Sequence, residues 1–237
     1  MKRSSLLVLM ILVSTFANFT RVLAQADKSK YLNEIKAELK KEWPKNRTIN
    51  LVFHGHSVPS GYFKTPVVNT FGSYPYLVIK GLKEKYPYAV INVIVTAIGG
   101  ENSVKGEARF ASEVLTHKPD VLFIDYALND RMMGLEKSKS AMTKMIEAAL
   151  KQGIRIVLLT PSPHQNYNIL DPKNAYEPFK DEVTDLAKQY HIGLSDSYSL
   201  FKEKINAGQN VKDLMSQVNH PNEKGHQIIA DGILEWF

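Results

Sequence analysis

Ile49-Asn50-Leu51-Val52-Phe53-His54-Gly55-His56-Ser57-Val58-Pro59-Ser60-Gly61 runs from an apolar stretch directly into Gly, Ser, Pro and Gly. That pattern predicts a buried strand over residues 49–54 breaking into a tight loop, with Ser57 just past its carboxyl end. Open α/β sheets place their chemistry at that end. A serine attacks a carbonyl only when a base takes its proton and donors hold the developing oxyanion, so the remaining sequence is read for those partners.

Further segments of the same kind follow. Residues 89–98 are almost continuously apolar and β-branched, as in a strand covered on both faces. They end in Gly99-Gly100-Glu101, where two glycines permit close backbone approach and leave amides free to face an anion. Residues 121–126 predict a third strand closing on Ala127-Leu128-Asn129-Asp130-Arg131, and Asn129 offers a neutral side-chain donor there. Residues 154–159 and 192–194 predict strands four and five. Helical periodicity marks residues 27–43, 74–85, 104–114, 137–152 and 174–190, and a final amphipathic helix runs to Phe237. In the first of these, Tyr31, Ile35, Leu39 and Trp43 form one apolar stripe. The regular alternation predicts a parallel sheet with helices on both faces. A loop over residues 61–73, rich in aromatic and small residues, is placed to wall a pocket beside Ser57. His220 precedes the last helix in Val218-Asn219-His220-Pro221-Asn222, a suitable position for a general base.

At 237 residues the chain suits one α/β domain. Lys2 and Arg3, the apolar run over residues 6–17 and Ala24-Gln25-Ala26 fit a secretory signal peptide over residues 1–24, ahead of a domain over 25–237. The apolar run is shorter than a membrane span requires. This reading puts the mature protein in the periplasm or outside the cell, without a stable membrane anchor. The chain contains no cysteine, so a disulfide framework, a thiolate metal site and a cysteine-linked lipid are all excluded. The formal charge of +6 falls to +3 once Lys2, Arg3 and Arg21 leave with the signal, too small and too dispersed for a nucleic-acid footprint.

Four elements in this order, Gly55-His56-Ser57, Gly100, Asn129 and His220-Pro221-Asn222, resemble the SGNH (GDSL-type) hydrolase family across residues 49–237. The resemblance implies a three-layer α/β/α sandwich around a five-stranded parallel sheet, with no cofactor and no metal. It also implies that Ser57 is the nucleophile and His220 its base. The Ser57 amide, Gly100 and Asn129 would form the oxyanion hole. Three positions depart from the family pattern. His56 stands where the first block carries aspartate, and Ala127 where the third carries glycine. Gln217 stands where an aspartate three residues before the histidine would orient it, and Asp213 is the nearest upstream acid.

The expected activity is therefore a Ser–His esterase acting on carboxylic esters, preferably acetyl groups on carbohydrate. Lysophospholipid or thioester cleavage is the alternative within the family. Outside it stand an inactive, carbohydrate-binding descendant, favoured by Gln217, and metal-dependent hydrolysis through His54 and His56.

Overall fold

The computed structural model describes residues 24–237, so the signal-peptide reading of residues 1–24 lies almost wholly outside the described residues. After helix α1 (Asn33–Leu39) the chain enters strand β1 (Thr48–Gly55) and proceeds through α2 (Tyr74–Lys85), β2 (Val90–Val95), α3 (Ser103–Ala108), α4 (Phe110–Glu113) and β3 (Val121–Asp125). It continues through α5 (Ala127–Asp130), α6 (Leu135–Lys151), β4 (Arg155–Leu159), α7 (Glu177–Tyr190), β5 (Gly193–Ser195) and α8 (Ser197–Asn206). The short strands β6 (Met215–Gln217) and β7 (His220–Pro221) then lead into α9 (Glu223–Leu234).

Strands β1 to β5 form one parallel sheet in the order β2-β1-β3-β4-β5. Chain direction across the sheet reverses after β2, so β1 and β3 flank the switch point where such sheets open a crevice at their carboxyl ends. The period-two alternation of a strand divides the core in two. Leu51, Phe53, Val121, Phe123, Val157 and Leu159 pack with α1, α2, α8 and α9, including Leu39, Val78, Phe201 and Ile229. Val52, Leu122, Ile124, Ile156 and Leu158 face α4, α6 and α7 through Phe110, Met142 and Leu186. The result is the three-layer sandwich expected from the sequence.

Gly55 lets β1 and β3 close tightly at the switch point. A Cβ there would lie 2.4 Å from the Asp125 carbonyl oxygen, so a side chain would force the strand ends apart.

Three sequence expectations are corrected. β2 is the edge strand, and its residues are half-buried to exposed rather than covered on both faces. Its apolar composition therefore marks an edge. The first helix is short: it ends at Leu39, and Trp43, ahead of Pro44, is 85% exposed and leaves the stripe. The helix over residues 104–114 is broken into α3 and α4 at Arg109. Helix α8 and the antiparallel pair β6–β7 lie between the fifth strand and the last helix, where the sequence periodicity marks no element.

Candidate active site

β1 delivers Ser57 to the crevice, β2 delivers the Gly99–Gly100 turn, β3 delivers Asn129 on the first turn of α5, and β7 delivers His220. The four candidate residues line one cleft of about 330 Å³ together with Tyr62, Thr65, Gln217 and Asn219. His220 is fixed by the residues that follow it. Pro221 restricts the backbone, and the Asn222 side chain accepts the N–H groups of Lys224 and Gly225 at 3.0 and 3.2 Å, capping α9 directly behind it.

His220 Nε2 lies 2.9 Å from Ser57 Oγ. Its other nitrogen, Nδ1, lies 2.8 Å from the Phe63 carbonyl oxygen and 2.7 Å from Gln217 Nε2. A carbonyl can only accept, so it requires a hydrogen on Nδ1 and leaves Nε2 as the acceptor for the serine proton. Gln217 acts against this. Its Oε1 accepts the Thr65 N–H at 3.0 Å, which turns its NH₂ group toward Nδ1. Turning the amide over would place NH₂ against the Thr65 N–H instead, so neither orientation satisfies both neighbours. Phe63 favours the tautomer in which His220 can act as a base, and Gln217 favours the other. Burial lowers the His220 pKa, partly opposed by the bond to the Phe63 carbonyl, with nearby His56 adding to the lowering.

Asp213 is exposed, and its backbone carbonyl accepts a bond from Asn222 Nδ2, so its carboxylate does not orient His220. Phe63 is the group the sequence reading missed. The aromatic loop marked a pocket wall, but every residue has a carbonyl, and nothing in the sequence distinguishes this one.

Gly100 adopts φ +75°, a left-handed conformation natural to glycine. Neither its N–H nor that of Ser57 donates to another backbone group among the described residues. Asn129 Nδ2 donates one hydrogen to the Glu101 carbonyl at 2.8 Å, tying α5 to the glycine turn and leaving its second hydrogen for the cleft. Beneath the turn, the Glu101 carboxylate pairs with Arg109 and accepts the Tyr126 hydroxyl at 2.6 Å. Arg109 Nε donates to Glu101 at 2.8 Å, and its Nη2 donates to the Thr96 carbonyl at 2.6 Å. The turn therefore rests on a buried polar frame.

His54 belongs to that frame. Its Nε2 lies 3.1 Å from the Tyr126 hydroxyl and 3.3 Å from the Gly106 carbonyl, and burial lowers its pKa to about 4. His56 belongs to another. It accepts the Val58 N–H at Nδ1 (3.1 Å), and its Nε2 faces Asp125 at 3.3 Å, out of hydrogen-bond alignment. The two histidines thus serve separate networks. Among the described residues no group of three His, Asp or Glu side chains gathers to hold a metal ion.

Chemically, this is a hydroxyl hydrogen-bonded to an imidazole, beside free amides and an amide side chain. Three similarities accompany the geometry. A two-domain esterase active on acetylated mannans, co-crystallised with mannopentaose, superposes with a TM-score of 0.73 at 20% identity, covering 90% of this chain and 54% of that one. This chain thus spans about half that protein's length. Axe2, an acetylxylan esterase from Geobacillus stearothermophilus, superposes with a TM-score of 0.70 at 22% identity, covering 79% of this chain and 93% of that one. The Uncharacterized lipoprotein YqeF of Bacillus subtilis (strain 168) is 26% identical over 177 residues, 60% of this chain and 72% of that protein. With the GDSL-like Lipase/Acylhydrolase family matching residues 53–228, the chain belongs to that family and is a hydrolase of carboxylic esters.

Proposed function

We propose that the chain is an exported serine esterase that removes acetyl groups from carbohydrate through an acyl-enzyme. The observation that carries this reading is the relay Ser57 Oγ, His220 Nε2, His220 Nδ1, Phe63 carbonyl, with contacts of 2.9 and 2.8 Å, set beside Gly100 and Asn129 in one cleft. His220 takes the Ser57 proton as Oγ attacks the ester carbonyl. The Ser57 and Gly100 amides and Asn129 receive the oxyanion. Collapse expels the sugar alkoxide, which takes the proton from His220, and water activated by the same histidine releases acetate. An alkoxide leaves more readily than an amine anion, so a base without a carboxylate behind it suits esters better than amides.

The acetylxylan and acetylmannan esterases that share the fold, and the modest size of the cleft, support this substrate class. Export follows from the N-terminal sequence, which assigns residues 1–24 to a signal and 25–237 to the enzyme. The YqeF protein, a lipoprotein by name, agrees with an extracytoplasmic setting.

The test is hydrolysis of p-nitrophenyl acetate and of acetylated xylo- and manno-oligosaccharides by residues 25–237, alongside Ser57→Ala and His220→Ala. Each variant is expected to lose at least ~10³-fold in kcat while remaining folded by circular dichroism. Equal turnover by Ser57→Ala would refute the nucleophile, and a preference for long-chain over acetyl esters would refute the acetylesterase assignment.

A further inference from the structure

Arg131 stands two residues beyond Asn129, at the end of α5. Its guanidinium lies 5.2 Å from the Tyr167 ring centre and 5.7 Å from that of Tyr176. No carboxylate among the described residues pairs with it, its buried Nε has no hydrogen-bond partner, and its polar neighbours are the Met132 sulfur at 3.9 Å and the Tyr176 hydroxyl. This contrasts with Arg109, whose guanidinium is held by two carboxylates and a carbonyl. A half-buried arginine carries a desolvation cost that a carboxylate or phosphate normally offsets.

The surroundings are built. His164 stacks on Tyr176 (5.8 Å between ring centres, 25° between planes) and meets Tyr167 edge-on at 5.1 Å, so it braces the two tyrosine rings that frame the guanidinium. This cluster adjoins the cleft. In its loop, Gln165 donates its N–H to the Val218 carbonyl at 2.7 Å and its side-chain amide to the Gln217 carbonyl at 3.1 Å, joining it to the wall that carries His220.

We propose that Arg131, framed by Tyr167 and Tyr176, is an anion subsite that recognises a carboxylate on the substrate, making the preferred ester an O-acetylated acidic glycan. The proposal rests on the acetylated-glycan reading above and adds the charge of the sugar. A planar carboxylate matches the paired N–H groups of the guanidinium, and the tyrosine faces suit the C–H surface of a pyranose ring.

The experiment compares acetate release from an O-acetylated oligogalacturonate and from the same oligomer with its carboxylates methyl-esterified, in wild type, Arg131→Ala and Arg131→Lys. It also measures inhibition of p-nitrophenyl acetate hydrolysis by free galacturonate and by galactose. Wild type is expected to favour the charged oligomer by about tenfold or more in kcat/KM, chiefly through KM. Arg131→Ala should bring that ratio close to one, and Arg131→Lys should restore part of it. A merely structural role would lower turnover of both oligomers together and leave the ratio intact. Equal turnover of the two oligomers by wild type, with galacturonate inhibiting no better than galactose, would overturn the proposal. If neither glycan is cleaved yet galacturonate inhibits in an Arg131-dependent way, the glycan-esterase reading fails while the anion subsite stands.

Discussion

At residue 217 the side chain is one atom type away from resolving a conflict. Thr65 N–H and His220 Nδ1–H are both donors, at 3.0 and 2.7 Å from the two ends of one amide that has a single acceptor. A carboxylate of the same length has two acceptors, so Gln217→Glu should accept both bonds, fix the tautomer that Phe63 favours and place a negative charge against the imidazolium formed in the transition state. The expected gain in kcat/KM on p-nitrophenyl acetate is about tenfold, near 1.4 kcal/mol. The charge also favours protonated His220, so the acid limb of the pH–rate profile, which burial sets below the ordinary histidine range, should move to higher pH. Gln217→Asp is one methylene shorter, cannot span both donors, and should gain less. A Gln217→Glu enzyme with unchanged rate and unchanged acid limb would show that position 217 does not act on His220.

At the scale of elements, the segment that walls the cleft also holds His220, the proposed base. The loop between Ser57 and α2 folds back on itself through Tyr62 and Val68, and Phe63, 8% exposed, stacks on His226 of α9 (4.8 Å, 22°). His226 in turn accepts the Tyr74 N–H at the start of α2 (3.2 Å), and burial holds its pKa down at about 3, so it remains a neutral spacer. The Phe63 ring therefore sets where the Phe63 carbonyl meets His220. Phe63→Ala should lower kcat at least ~10-fold with a smaller change in KM, because a displaced orienting group costs the chemical step more than binding. Phe63→Tyr, which keeps the ring, should recover most of the rate. An unchanged kcat in a folded Phe63→Ala protein would remove the carbonyl from the relay. The sequence shows why only part of this was legible. Ser57, Gly100, Asn129 and His220 each follow a strand or precede a capped helix, and their order resembles the family pattern, which implies that they converge. Phe63 contributes a backbone atom, and the contact crosses 157 positions, so no local pattern encodes it. β2 was misread as covered because β-branched composition reports strand preference and not a strand's place in the sheet.

Across the whole molecule, α5, α6 and α7 meet in a buried acidic pair behind the glycine turn. Ser138 on α6 lies 2.8 Å from Asp130 Oδ2 and 2.6 Å from Glu182 Oε1 on α7, yet a hydroxyl donates one hydrogen. One contact therefore uses a proton held by a carboxyl group. Burial, with Asp130 adding like charge, pushes the Glu182 pKa up to about 7, and burial raises Asp130 as well, so the pair shares a proton with Glu182 as its main holder. Asp130 also accepts the Ser103 N–H at 2.8 Å at the start of α3, two residues past the glycine turn's Glu101, so the pair braces the frame beneath the cleft. A carboxyl group whose folded pKa lies above its unfolded value binds more protons folded than unfolded in the interval between them. Stability should accordingly fall as pH rises from about 4.5 to 7, by on the order of 2 kcal/mol, and the loss should be complete above that window. Glu182→Gln keeps a donor toward Ser138 without a titrating group, so its urea-unfolding free energy should lose most of this slope and exceed that of wild type at pH 8. Because His220 sits in a different network, the acid limb of the Glu182→Gln pH–rate profile should match wild type. A stability slope that persists in Glu182→Gln would place the shared proton elsewhere, and an acid limb that moves with the substitution would show that the brace behind the glycine turn and His220 in front of it titrate as one system.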